Sequence, residues 1–258
     1  GNSLEMLGTL LNADNVAGTA SVTDASITQA VLANTQVTAG KNRLIIGAEN
    51  ATTADYIAVS NGFGAAQLQF EGEGKPSVEI GNGQALTLTG ALGGALIHVA
   101  GSPATAVDVA VNNGTLNLGS TAVENVTAHL NGNVSVAQEG ALNVVAGDHT
   151  ITSGSAAAGV VSSGLVTVHH DATLHSDVEM RDAGQLVVNG SLQAGQLAAS
   201  QEAEITVGDA AAAGSLVVDR MDLQGAKMFI DPSWVEGGTL ADASRVASGG
   251  SDINGRMT

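Results

Sequence analysis

The chain has 258 residues, a net charge of −17 and no cysteine. Its eight basic residues are scattered, so no basic stripe can replace the counterions of phosphate; this excludes nucleic acid and disfavours anionic membranes as partners. The absence of cysteine excludes disulfide frameworks, thiolate zinc sites and thiol catalysis. Hydrophobic residues make up 44% of the chain but aromatic residues only 2%, which predicts a narrow core of small aliphatic side chains.

The N-terminal part of the chain, residues 1–80, predicts short strands separated by long linkers. Alternating apolar segments lie at residues 42–47, 56–59, 67–70 and 77–80. Irregular insertions on a rigid scaffold are where recognition residues usually sit. The irregular stretch 63–76 therefore supplies three contact candidates, Phe63, Phe70 and Lys75.

The middle of the chain has a much more regular pattern. Between residues 86 and 151, short apolar segments start at positions 86, 96, 107, 116, 126, 134, 142 and 151. Each alternates over about four residues, as where Leu142 and Val144 oppose Asn143, and this period of two is typical of a half-buried strand. Glycine, asparagine and aspartate cluster in the breaks, where they tolerate positive φ and turn the chain.

A longer repeat is superimposed on these strands. A Gly-x-Leu phrase returns at intervals of roughly 20–30 residues, at Gly94, Gly114, Gly140, Gly164, Gly184 and Gly214. No segment of 10–12 residues keeps a helical period, which excludes βαβ folds and helical repeats, and an antiparallel sandwich would need more aromatic residues. The pattern predicts an all-β fold, a right-handed parallel β-helix (a β-solenoid) of roughly ten coils with one coil per 20–30 residues.

We expect residues 1–258 to form a single solenoid fragment. Residues 1–80 would form less regular coils, 81–230 regular coils, and 231–258 an irregular and truncated C-terminal segment. Thirteen aliphatic side chains are predicted to point inward in stacked rows. These are Leu86, Leu88, Val109, Leu116, Leu118, Leu142, Val144, Leu186, Val188, Ile205, Val207, Leu216 and Val218.

One polar cluster combines histidine with carboxylates. In a strand, His175, Asp177 and Glu179 would share the outward face opposite Leu174 and Val178. Such a set could chelate a divalent ion weakly, because metal binding needs convergent ligands. The alternative is an ordinary polar outer face.

No catalytic or cofactor motif emerges from the sequence. Polysaccharide lyases and hydrolases need paired carboxylates, or carboxylates beside Arg or Lys, on one face. The acidic pairs Glu71/Glu73 and Glu202/Glu204 each lie two positions apart and are expected to have no basic partner nearby, which predicts a solvated surface. A Gly-x-Ser-x-Gly nucleophile elbow is missing, and we predict no catalytic residue, no cofactor and no enzymatic activity.

The last irregular segment, residues 231–236, contains the only tryptophan of the chain, Trp234. An exposed tryptophan often anchors an interface or stacks on a sugar, which makes Trp234 a fourth contact candidate. The alternative is that its ring caps one end of the narrow core.

Three phrases carry a resemblance to a known family. Residues 113–119 read NGTLNLG, residues 139–147 EGALNVVAG and residues 183–192 AGQLVVNGSL. With the acidic, cysteine-free composition, they resemble the passenger domains of bacterial autotransporters, over residues 77–230. The resemblance implies export across the outer membrane of a Gram-negative bacterium and display on the cell surface. It also implies attachment to a C-terminal outer-membrane barrel outside this fragment.

Composition, repeat and resemblance together lead to one expectation about function. We expect a non-catalytic, surface-displayed fragment that acts in adhesion or self-association, or as the stalk of an adhesin. Its partner would be a glycan or protein on a host or neighbouring cell, or a second copy of the chain. Two alternatives remain, a polysaccharide-active β-helix enzyme with a carboxylate cluster in a groove, and a purely structural spacer rod.

Overall fold

The structure is a computed structural model, which describes the backbone over a wider range of residues than the side chains. It describes the backbone of 28 strands between Ser3 and Asn254. Side chains are described at residues 80, 85, 108–119, 121, 127, 128, 130, 132–153, 158–209 and 211–230.

The strands are short, and most of them have three to five residues. In chain order they are β1 (Ser3–Leu7), β2 (Leu10–Ala13), β3 (Gln29–Ala33), β4 (Gln36–Ala39), β5 (Arg43–Ile46), β6 (Asp55–Val59), β7 (Gln67–Phe70), β8 (Ser77–Ile80), β9 (Ala85–Thr89), β10 (Ile97–Val99), β11 (Ser102–Pro103), β12 (Asp108–Val111), β13 (Thr115–Leu118) and β14 (His129–Asn131). They continue with β15 (Val134–Val136), β16 (Ala141–Val144), β17 (Gly147–Thr152), β18 (Val160–Ser162), β19 (Leu165–Val168), β20 (Ala172–His175), β21 (Val178–Met180), β22 (Gln185–Val188), β23 (Ser191–Ala199), β24 (Glu204–Val207), β25 (Ser215–Asp222), β26 (Lys227–Ile230), β27 (Arg245–Ser248) and β28 (Ile253–Asn254).

These strands pair in parallel across successive turns of the chain. They form sheets of ten, five and thirteen strands, and within the described strands the one antiparallel pairing joins β10 to β11. Parallel pairing of strands that are close in sequence requires the chain to wind around a common axis. The prediction of an all-β fold built as a parallel β-solenoid is therefore confirmed, with about five turns from β13 to β26.

Each turn in this region has three faces. The first face consists of β13, β16, β19, β22, β24 and β26. The second face contains β14, β17 and β20, and the third contains β12, β15, β18 and β21; β23 and β25 are long enough to run along both. Successive partners along the first face are residues 116, 142, 166, 186, 205 and 228, so one turn takes roughly 19–26 residues.

Aliphatic side chains fill the interior in stacked rows. Along the first face Leu116, Leu142, Val166, Leu186 and Ile205 pair in register, and each is fully buried. Stacking like on like keeps each row apolar while the alternate positions face solvent. Eleven of the thirteen predicted inward residues are buried. The side chains of the other two, Leu86 and Leu88, lie outside the described residues, although their backbone is in register with β13.

The recurring glycine marks the corner before the first face. Gly140 and Gly164 are buried there, and a Cβ on Gly164 would lie 2.2 Å from the carbonyl oxygen of Ala137. Close approach of backbone, rather than positive φ, is therefore the reason for glycine in this phrase. Gly214 precedes a second-face strand instead, so the step from Gly184 to Gly214 is not one turn. The next corner residue of the first face is Ala203, whose carbonyl accepts a hydrogen bond from the Lys227 amide.

Candidate functional site

A groove of about 460 Å³ runs across the corner between the second and third faces. Three successive turns line it, and we call it the corner groove. Its first turn contributes residues 151–153 and 159, its second turn residues 175–177, and its third turn residues 193–195. Two of the side chains singled out from the sequence, those at positions 175 and 177, thus lie in this recess.

Unequal corner lengths create this groove. Thr150 pairs with His175 and Val160 pairs with Val178, so nine residues of sequence separate these strand positions in one turn and only two, Ser176 and Asp177, separate them in the next. In the following turn the three residues 194–196 occupy the same place, because His175 pairs with Gln193 and Val178 with Leu197. The short corner at Ser176 and Asp177 forms the floor of the groove.

Hydrogen bonds hold that floor in place. The Ser176 amide donates to the Gln193 carbonyl at 3.1 Å, and its hydroxyl donates to the Asp177 carbonyl at 3.0 Å. The Asp177 Oδ1 atom accepts from the Gln196 amide at 2.8 Å. A Cβ on Gly159 would lie 2.5 Å from Ser176 Oγ, so glycine is needed for this approach. The carboxylate of Asp177 is therefore fixed by Oδ1, while Oδ2 has no hydrogen-bond partner among the residues described.

The walls of the groove combine hydroxyl, amide and imidazole groups. His175 Nε2 lies 2.9 Å from Asp148 Oδ1, in a pair whose members are partly and largely exposed. Ser153 Oγ donates to Asn133 Oδ1 at 3.0 Å. The side chains of Thr152 and Gln193 are exposed and form no hydrogen bond with another described residue. No lysine or arginine lines the groove, and Asp177 is its one carboxylate.

The three proposed metal ligands are all outside the core, but they do not share one face as predicted, and they contact separate partners. Leu174 and Val178 are buried, whereas His175, Asp177 and Glu179 are partly exposed. The corner divides them between two faces, since His175 ends β20 and Glu179 lies in β21.

Glu179 also has a partner of its own. Its Oε1 accepts a 2.7 Å hydrogen bond from Arg181 Nε, which raises the pKa of that guanidinium. Asp177 and His175 are engaged by the Gln196 amide and by Asp148. Across the described part of the chain, no group of three or more His, Asp or Glu side chains is placed to hold a metal ion.

The expectation that Glu204 has no basic partner is wrong, although the side chains involved are both partly exposed. Glu204 lies opposite Lys227 in the parallel ladder, and its Oε1 is 3.0 Å from Lys227 Nζ. These two side chains are far apart in sequence, and only the length of this turn brings them together.

The four contact candidates are not placed by the structure. Phe63, Lys75 and Trp234 lie outside the described residues, and Phe70 is described only as backbone in β7. The acidic pair Glu71 and Glu73 also lies outside them. Two aliphatic side chains and one aromatic one that the sequence did not single out are exposed instead, namely Val217, Phe229 and Ile230.

Sequence analysis also missed a buried histidine. His149 is fully buried in β17, on the inward side with Ile151. Its Nδ1 accepts a hydrogen bond from the Ala128 amide at 3.0 Å, so Nε2 carries the proton and donates to the Ala146 carbonyl at 2.7 Å. Burial lowers the pKa of His149, and the Ala146 hydrogen bond and the charge of Asp148 oppose this shift in part. The neutral ring thus connects two backbone groups at a corner. The alternation of buried and exposed positions in β17 is the sequence signal that could have identified His149 as buried.

Comparison with known proteins gives no match, whether to a family model, to a curated protein or to a solved structure. Within the residues that the structure describes, no helix has the length and apolar character needed to cross a membrane.

Proposed function

We propose that this chain is a non-catalytic passenger fragment, displayed on the surface of a Gram-negative bacterium, that acts in adhesion or self-association or as the stalk of an adhesin. In this proposal it is a right-handed helix of roughly ten coils, exported across the outer membrane with a barrel outside the fragment. Its partner is a glycan or protein of a host or neighbouring cell, or a second copy of the chain.

The observation that carries this proposal is that the inward and outward sides of each strand hold different kinds of side chain. Inward positions hold stacked aliphatic side chains, which leaves the outward positions for interactions with other molecules. Along the first face these outward positions hold Asn117, Asn143, Thr167, Val187 and Thr206 in one continuous register. Polar and small aliphatic groups on parallel strands supply a long, repetitive contact surface of the kind used by solenoid proteins.

Exposed hydrophobic side chains give additional support. Phe229 and Ile230 in β26 and Val217 in β25 are each more than a third exposed in a chain that is otherwise strongly acidic. Aromatic residues are enriched at binding surfaces, since they bury a large area on contact. Phe229 is one of only five aromatic residues in the chain, which makes its exposure a specific feature.

Beads coated with the purified chain test the proposal. We expect them to aggregate with one another, or to bind defined members of a glycan and protein array, more than beads coated with an inert protein. The variant Phe229→Asp should reduce aggregation if self-association uses β26, while Gln138→Asp, at an exposed turn position outside the first-face row, serves as a folded control.

Two results would contradict the proposal. Turnover of pectin, another acidic glycan, a peptide or an ester that a single substitution abolishes would favour an enzyme. Absence of both aggregation and array binding would contradict adhesion and self-association by this fragment and leave only a stalk or spacer function.

A further inference from the structure

We propose that the corner groove binds a single neutral sugar residue of a surface glycan. This proposal deepens the adhesive function proposed above and rests on it. The volume of about 460 Å³ lies in the usual range for small-molecule sites, roughly 300–1,000 Å³, and accommodates one hexose with its hydration.

The chemistry of the lining favours a ligand rich in hydroxyl groups. Asp177 Oδ2 can accept a hydrogen bond, and the side chains of Thr152 and Gln193 can both donate and accept. A sugar hydroxyl also does both, so each of these groups can pair with a neighbouring hydroxyl of one ring. The Gln196 amide fixes the Asp177 carboxylate before any ligand arrives, which lowers the ordering cost of binding.

Charge decides between neutral and ionic ligands. An anionic sugar would meet the carboxylates of Asp177 and the nearby Asp148 in a chain with a net charge of −17, without any lysine or arginine in the lining. A cationic ligand would find one carboxylate, because Asp148 contacts His175 at 2.9 Å. The remaining polar groups are neutral, so a neutral sugar satisfies more of them than an ion does.

The apolar part of the lining is small, and this sets the expected affinity. Ile151 and Ala194 are the aliphatic side chains that line the groove, and no aromatic ring is available for stacking. We therefore expect a dissociation constant of about 1 mM for a single sugar. Multiple copies of the chain on one surface would raise the effective affinity without new contacts.

The direct test is a titration of the whole chain, labelled with nitrogen-15, with glucose, galactose, mannose, fucose and N-acetylglucosamine. We expect at least one of them to shift the amide signals of Ser176 and Gln196 saturably, with a dissociation constant of about 1 mM. Asp177→Asn should weaken this binding about tenfold, because Asn keeps one oxygen for the Gln196 amide and loses the second acceptor. Gln193→Ala, at an exposed position, should weaken it about threefold.

Matched controls separate the groove from the general surface. Asp171→Asn removes an exposed carboxylate in the same turn, and Gln185→Ala removes an exposed amide on the first face; both should bind the sugar like the unmodified chain. Glucuronic acid and methylammonium, a cation without hydroxyl groups, provide the anionic and cationic probes, and both should bind more weakly than the neutral sugar.

Four outcomes would overturn the assignment. They are no saturable shift with any neutral sugar, tighter binding of glucuronic acid, tighter binding of methylammonium, or unchanged binding in both groove variants. If coated beads still adhere while single sugars fail to bind, only the groove assignment is lost. If both experiments fail, the proposed adhesive function is lost as well.

Discussion

The first face keeps the same strand length from turn to turn, whereas the corner between the second and third faces changes its length in each turn. Along the first face every strand from β13 to β26 has four residues, and each inward side chain packs on its equivalent in the next turn. At the corner the chain length changes from nine residues to two and then three, and polar groups lie at the surface of the recess. The comparison indicates that uniform strands provide the stability of this solenoid, whereas changes in corner length provide its surface shape.

Substitution inside the first face should have the largest effect. Leu142 is fully buried between Leu116 and Val166 in the ladder. Leu→Ala changes at such positions cost about 2–5 kcal/mol, and an unpaired buried charge adds to this cost. We therefore expect Leu142→Asp to unfold the surrounding turns, as measured by circular dichroism during thermal melting.

The neighbouring residue provides the control for this change. Asn143 lies on the outer side of the same strand, so Asn143→Asp should melt within a few degrees of the unmodified chain. A Leu142→Asp variant that melts like Asn143→Asp would contradict the inward assignment.

Two glycines with the same backbone conformation differ in the space around them, which allows a direct comparison. Gly119 and Gly225 both have positive φ, at 81° and 88°. A Cβ would lie 2.0 Å from the Ala146 carbonyl oxygen at Gly119, but 3.5 Å from the nearest atom, Gln201 Cγ, at Gly225. Gly225→Ala should cost about 1–2 kcal/mol for its backbone conformation alone. Gly119→Ala should cost about 1–3 kcal/mol more, because the backbone must move.

Chemical denaturation of the two glycine variants measures this difference. The unmodified chain provides the reference free energy of unfolding. Equal losses in the two variants would mean that the contact between Gly119 and the Ala146 carbonyl does not limit this corner.

The corner at His149 should make stability depend on pH. Burial lowers the pKa of His149 below its ordinary value of 6.5, so below about pH 6.5 the unfolded chain binds a proton that the folded chain excludes. The stabilisation is complete above that pH and is lost as the pH falls, with a slope of at most about 1.4 kcal/mol per pH unit. His149→Gln should flatten the dependence of the unfolding free energy between pH 7 and pH 5.

An exposed histidine serves as the reference for that experiment. His170 contacts Asp171 at the surface, with about two thirds of each side chain exposed. His170→Gln should retain most of the dependence of the unfolding free energy on pH. An unchanged dependence in His149→Gln would show that protonation of another group destabilises the fold in acid.

The smallest expected effect lies on the outer side of the first face. Asn143 Nδ2 donates a 3.1 Å hydrogen bond to Asn117 Oδ1 in the preceding turn. Such cross-strand pairs contribute about 0.2–1 kcal/mol, so Asn143→Ala should lower the unfolding free energy by no more than about 1 kcal/mol. Thr167→Ala, at the next position of the same row, is the comparison. Substitutions at buried aliphatic positions lower the unfolding free energy by about 2 kcal/mol or more. A loss of that size in Asn143→Ala or Thr167→Ala would mean that the outer rows stabilise the fold as much as the inner rows do.

Much of the fold was predictable because local spacing determines it. The alternation around Leu142 and Val144 assigns the inner and outer sides of β16 without knowledge of its neighbours, since side chains in any strand point to opposite faces. The Gly-x-Leu phrase gave the turn lengths from Gly114 to Gly184 for the same local reason. It failed at Gly214, because a second-face corner uses the same phrase.

The candidate site was predictable only in part. His175 and Asp177 were identified because titratable residues cluster there in the sequence, yet their neighbours in the corner groove come from the preceding and the following turn. Thr152 and Gln193 have no local signal, because they contribute to the groove only through the pairing of successive turns.

The sequence by itself determined the class of fold, the inner and outer sides of most strands and the approximate length of a turn, because these depend on residues a few positions apart. Tertiary structure alone decided which polar groups meet. The pairing of Glu204 with Lys227, the burial of His149 against Gly119 and the recess at Ser176 and Asp177 each depend on how many residues a turn contains. The number of residues in each corner decides which side chains of successive turns lie opposite one another, and short-range patterns do not encode that number.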